Sequence, residues 1–173
     1  MFETGLKKLD QFLGGGIKEG LITDISGQNS TGKTQLAFQI CINALKKEKD
    51  ILFQDTTGEF RPERLVEMLK IRKLDPILLD KIKIGRITNS VQQSKYLSKI
   101  ATNDFSLIVI DNATDLFSFE YSKKEQSFEK HLAFMKYMQN LASIAINTKI
   151  PIVVTNIVRS FNEYEEENLE KSI

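Results

Sequence analysis

Eight consecutive residues, Gly27-Gln28-Asn29-Ser30-Thr31-Gly32-Lys33-Thr34, constrain what this chain can fold into more than any other feature. They follow the pattern G-x-x-x-x-G-K-[ST] in full, the phosphate-binding loop known as Walker A. The stretch from Gly20 to Ser26 ahead of them reads as a strand ending at a glycine, and a helical segment follows. That setting is the one the motif needs. The loop turns backbone N–H groups inward, and the helix N-terminus adds partial positive charge where phosphates sit. Lys33 is placed to reach the outer phosphates, and the Thr34 hydroxyl to ligate Mg²⁺. The expected ligand is ATP with Mg²⁺, held by Gly27 to Thr34 and the adjoining Gln35.

The rest of the chain alternates in the same way. Further β-rich runs cover 51–54, 82–87, 106–110 and 150–155, and helical segments cover roughly 32–46, 61–73, 89–102 and 125–148. The last three runs are nearly continuous in Ile, Val and Leu, the composition of strands covered on both faces. In the longest helical segment Phe128, Leu132, Met135, Met138, Ala142 and Ala145 form one stripe, predicted to face the core. His131, in their midst and without a partner motif, reads as structural. Alternation of this kind predicts an α/β fold, a mainly parallel sheet with helices on both faces. The fourth run ends in Asp111. A carboxylate at the carboxyl end of a parallel strand faces the ligand crevice of such sheets, so Asp111 is expected to hold Mg²⁺ through water.

Composition narrows the setting. A chain of 173 residues, 41% hydrophobic and 27% charged, is long enough to bury one core without staples. Its 24 basic and 23 acidic residues leave a net charge of +1, which carries no electrostatic footprint for nucleic acid or membrane. The single cysteine, Cys41, excludes an internal disulfide, and a cytoplasmic location is expected.

Several motifs together resemble the core of the RecA/RadA recombinase family. They are Thr4-Gly5-Leu6, Leu9-Asp10, Leu13-Gly14-Gly15-Gly16-Ile17, Gly32-Lys33-Thr34-Gln35-Leu36, Phe60-Arg61-Pro62-Glu63-Arg64 and Val154-Thr155-Asn156. The resemblance covers residues 3–158 and implies a P-loop NTPase fold of RecA type, with 159–173 an acidic tail or a truncated remainder. No helix–hairpin–helix segment is found ahead of the core, so the layout resembles archaeal RadB and other RadA paralogues. Arg64 matches the family position that stacks on adenine, a role a planar guanidinium suits.

Three departures temper what the resemblance implies. Where the family reads D-T-E-G, this chain reads Asp55-Thr56-Thr57-Gly58-Glu59, so Thr57 stands at the position of the catalytic glutamate. A threonine hydroxyl is no general base near neutral pH. Glu59 is the one carboxylate that can substitute, but its two-residue displacement favours a surface role. Ile157 replaces the glutamine that senses the γ-phosphate, and isoleucine makes no hydrogen bond. Five glutamates between Glu163 and Glu170 follow, which repel a phosphate backbone. Lys123 and Lys124 are the only basic pair near the family's first DNA loop. These features imply an ATP-binding recombinase paralogue with an accessory role in recombinational repair, weak hydrolysis, weak or indirect DNA binding and a RadA-like or paralogous partner. The alternatives are an active KaiC-like signalling ATPase and a nucleotide-gated protein–protein module.

Overall fold

The computed structural model describes residues 1, 3–47 and 49–158. The acidic run from Glu163 to Glu170 therefore lies outside the described residues. Among the described residues the elements follow as α1 (Lys7–Phe12), β1 (Ile22–Gly27), α2 (Lys33–Ala44), β2 (Ile51–Asp55), α3 (Pro62–Ile71), β3 (Ile82–Arg86), α4 (Ser90–Thr102), β4 (Leu107–Asp111), α5 (Asp115–Glu120), α6 (Ser127–Thr148) and β5 (Ile152–Ile157). The sheet runs β1-β5-β4-β2-β3 with every pairing parallel. Two short α-helices, α1 and α5, were not predicted, and neither were two 3₁₀ helices, Pro76–Lys81 and Lys124–Gln126. At six residues each, α1 and α5 are too short to show a hydrophobic period.

Local chemistry sets several boundaries. Pro62 opens α3, where its missing N–H costs nothing. Asn89 caps α4 by accepting from the Gln92 N–H at 2.7 Å. Gly32, at φ 88°, precedes α2 in the left-handed region that glycine alone enters freely.

Alternate residues of the central strands feed two cores. Ile51, Phe53, Leu107, Val109 and Val153 pack against α2 and α3, where Ile40, Cys41, Leu65 and Leu69 are buried. Leu52, Ile108, Ile110, Ile152 and Val154 face the other way, onto Leu97, Ile100, Phe117, Tyr137 and Leu141. Phe38, Phe53 and Phe60 form an aromatic trio with ring centroids 5.1 to 5.5 Å apart, tying the chain after β2 to α2. Burial pushes the Cys41 thiol above its ordinary range, so it is an inert core residue.

Two expectations are corrected. The isoleucine-rich β3 is not covered on both faces; it is an edge strand with Lys83 and Ile84 exposed. The stripe predicted on α6 is met at Ala145, which is buried, and in part at Met138, which packs against the core, but is otherwise displaced. Phe128, Leu132 and Met135 are exposed, Met138 and Ala142 are half-buried, and His131 lies on the exposed side as well. The buried line is Tyr137, Leu141 and Ala145, flanked by Phe134 and Ile144. Two things differ. A helix of 22 residues spans about 33 Å against about 17–20 Å for strands of five or six, so its first turns pass beyond the strands. Over the rest, the face against the sheet is turned by one residue, with Phe134, Tyr137 and Leu141 in the places predicted for Met135, Met138 and Ala142.

Candidate nucleotide site

The strand order brings four carboxyl ends to one rim. Asp55 of β2 sits opposite Asp111 of β4, Asp111 opposite Thr155 of β5, and Gly27 of β1 opposite Ile157 of β5. A cavity of about 280 Å³ opens there, lined among others by Lys33, Thr34, Thr57, Glu59, Asn112 and Ile157. This is the crevice position that a parallel sheet offers to ligands.

The Gly27–Thr34 loop is held by its own side chains. Thr31 Oγ1 and Lys33 Nζ donate to the Gln28 carbonyl at 2.9 and 2.6 Å. Ser30 and Gly32 adopt left-handed φ values of 61° and 88°. A Cβ on Gly27 would stand 3.0 Å from Thr31 Oγ1, so the loop closes tightly there. The first intrahelical bond runs from Leu36 N–H to the Gly32 carbonyl at 2.9 Å. The N–H groups of Lys33, Thr34 and Gln35 therefore start the helix without intrahelical partners, the arrangement that suits an oxyanion. Asn29, Ser30, Gly32, Lys33, Thr34 and Gln35 line the cavity; Gly27 and Thr31 border a second hollow behind the loop, and Gln28 acts through its carbonyl.

Asp111 is only 5% exposed, and both of its oxygens are engaged. Oδ2 accepts from Thr34 Oγ1 at 2.8 Å, and Oδ1 accepts from Thr155 Oγ1. The Thr34 hydroxyl thus commits its proton to Asp111 and keeps its lone pairs for a cation. Among the described residues no three His, Cys, Asp or Glu side chains gather as a metal cage. A cation here would rely on Thr34, water and its own ligand's oxygens, as Mg²⁺ commonly does.

The loop after β2 is organised by Asp55. Its Oδ1 accepts from Thr57 N–H at 3.0 Å, Thr57 Oγ1 at 3.0 Å and Gly58 N–H at 2.7 Å, while Oδ2 accepts from Phe60 N–H at 3.4 Å. Arg86 of β3 lies 3.5 Å away and also donates to the Asp55 carbonyl. Thr57 Oγ1 in turn accepts from Glu59 N–H at 3.2 Å. The Thr57 hydroxyl is therefore spent on loop closure, and the Glu59 side chain is exposed yet lines the cavity.

Arg64 does not line the cavity. It reaches the site through Gln35, whose Oε1 accepts from Arg64 Nε at 3.0 Å, and Glu67 accepts from Arg64 Nη1 at 3.1 Å. Lys123 and Lys124 are exposed at the entry to α6. Asn112 and Thr155 had not been singled out as site residues from the sequence. Thr155 was within reach, since the argument that places Asp111 at a strand's carboxyl end applies equally to the threonine that closes the 150–155 run, although β5 itself continues to Ile157.

Comparison with known proteins supplies the lineage. The Rad51 family model matches residues 1–169. A DNA repair and recombination protein RadA from Cenarchaeum symbiosum is 34% identical, over 92% of this chain and 43% of its own length. A DNA repair and recombination protein RadB from Thermococcus sibiricus is 38% identical, over 91% of this chain and 68% of its own length. A DNA repair protein RAD51 homolog from Solanum lycopersicum is 30% identical, over 90% and 48% respectively. The chain thus spans less than half of the RadA and RAD51 relatives and about two thirds of the RadB one. With the parallel sheet and the loop at its rim, these matches show that the chain belongs to the Rad51 family, as a RecA/RadA-type P-loop core.

Proposed function

We propose that this chain binds Mg-ATP at the Gly27–Thr34 loop and serves recombinational DNA repair as an accessory member of its family, with weak hydrolysis. Residues 1–158 form the nucleotide-binding core in this reading, and a RadA-like recombinase or a paralogue is the partner. The observation that carries it is the Thr34–Asp111–Thr155 chain of hydrogen bonds beside Lys33. Lys33, now on the Gln28 carbonyl, would be the residue to hold the phosphates, and Thr34 and Asp111 would hold the cation, the first directly and the second through water. Mg²⁺, when bound, neutralises charge on the phosphoryl oxygens.

Weak hydrolysis follows from Thr57. Its hydroxyl is bonded to Asp55 and offers no basic group for activating water. Glu59 favours a second reading, an active ATPase, because its side chain lines the same cavity. Calorimetry and turnover separate them. Lys33→Ala is expected to abolish ATP binding, and undiminished affinity refutes the site. Thr57→Glu is expected to raise turnover about 10²–10⁴-fold where the missing base is the sole deficit. Brisk wild-type turnover abolished by Glu59→Gln establishes the second reading instead.

A further inference from the structure

The outward face of α6 carries a pattern that the folded chain leaves unused. Tyr137, Leu141 and Ala145 pack the helix into the core. On the side opposite Tyr137, Phe128, Leu132, Met135, Gln139, Ala142 and Ile146 follow one another at alternating steps of four and three residues. That is the spacing of the narrow seam by which two helices interlock, not of the broader stripe a helix lays on a sheet. Phe128 is 70% exposed, Leu132 52%, Met135 43% and Ile146 55%. Exposed apolar residues in a line mark an interaction surface, whereas scattered ones need no explanation.

Two charges beside the seam indicate what covers it. Glu129 follows Phe128 and Lys136 follows Met135, so both stand on the same flank, and both are exposed. Neither takes part in an ion pair among the described residues. A second copy of α6, laid antiparallel about a two-fold axis, meets the first with the same surface, so each contact occurs twice. With the axis between Leu132 and Met135, Leu132 lies over the partner copy's Met135. Phe128 lies over the stem of the partner copy's Gln139, whose amide stays at the open end of the seam. Glu129 then stands beside the partner copy's Lys136, in both directions. A shift of seven residues one way sets Glu129 against Glu129, and the other way Lys136 against Lys136, which opposes both.

We infer that the outward face of α6 is a self-association surface, on which two copies of this chain pair antiparallel through Phe128, Leu132 and Met135 with Glu129–Lys136 ion pairs on one flank. The seam is short, so the interface falls below about 1,200 Å² and the dimer forms and parts with concentration. None of these residues lines the cavity at the Gly27–Thr34 loop, so association is expected with or without nucleotide.

The test is sedimentation equilibrium of the full chain without nucleotide. Between about 5 and 500 μM the mass is expected to rise from 19.8 kDa toward twice that. Leu132→Glu changes a surface position, keeps the fold and sets a carboxylate on the seam twice; it is expected to weaken the dimer at least about tenfold. Glu129→Lys is expected to weaken it about three- to thirtyfold, and adding Lys136→Glu to restore it within about threefold. Ile84→Glu, on the exposed edge of β3, is expected to change nothing. A chain that stays monomeric overturns the inference. If Leu132→Glu then lowers its thermal midpoint, the chain's own residues cover the face; if that variant instead loses binding to a RadA recombinase, another protein does. A dimer broken by Ile84→Glu and not by Leu132→Glu places the contact at the sheet edge and overturns it as well. Failure of the exchanged charges to restore the dimer overturns the two-fold pairing.

Discussion

Removing the Asp55 carboxylate tests how the loop beneath the site is held. In Asp55→Ala the N–H groups of Thr57, Gly58 and Phe60 and the Thr57 hydroxyl lose their acceptor together. Hydrogen bonds to a charged group contribute about 1.5–3 kcal/mol each, and they are not additive when they share one acceptor. The Phe60 bond is long at 3.4 Å, and Arg86, half exposed, adds no more than about 1 kcal/mol. Water can reach Gly58 once the carboxylate is gone, which recovers part of the loss. A net destabilisation of about 2–4 kcal/mol follows. For a chain of this length that lowers Tm by roughly 4–16 °C, at about 2–4 °C per kcal/mol. Urea titration and a thermal melt read the stability, and amide exchange at Gly58 reads the loop. Full-length protein that melts within about 1 °C of wild type, with Gly58 still protected, would show that the loop is held by the Phe60 aromatic packing instead. ADP affinity is expected to survive, because the Gly27–Thr34 loop springs from a different strand.

Thr155→Val deletes the donor to Asp111 Oδ1 at nearly constant shape and is expected to cost about 1–3 kcal/mol in urea titration. A loss below about 0.5 kcal/mol would refute the importance of that bond. Leu141→Ala, fully buried on α6, is expected to cost about 2–5 kcal/mol, whereas Phe128→Ala on the overhang stays within about 0.5 kcal/mol. The reverse order would restore the stripe predicted from sequence. Burial pushes the Tyr137 phenol up to about 12 from the ordinary 10.0. The unfolded chain then ionises first, so this stability is complete below pH ~10 and falls by about 2–3 kcal/mol as pH rises through 12. Tyr137→Phe is expected to flatten that part of the pH profile, and an unchanged slope would assign it to other groups.

The Gly27–Thr34 loop, the alternation of strands and helices and the position of Asp111 were legible because each is written in contiguous residues. A phosphate loop is made of neighbouring backbone groups, and a strand declares itself by local composition. Arg64 was placed correctly on a helix, yet its link to the site runs through Gln35, 29 residues earlier, which no local pattern displays.

What tertiary structure alone decided is which ends meet. Thr34 and Asp111 are 77 residues apart, and Thr155 lies a further 44 on; their chain of bonds exists because β5 inserts between β1 and β4. Strand order is set by the packing of whole helices on a sheet, and so are the covered face of α6 and the exposure of β3. The same holds for the Asn112 side-chain nitrogen, which meets no partner among the described residues. An asparagine in a sequence carries no mark of which of its hydrogen bonds will be satisfied, since that depends on the neighbours that folding delivers.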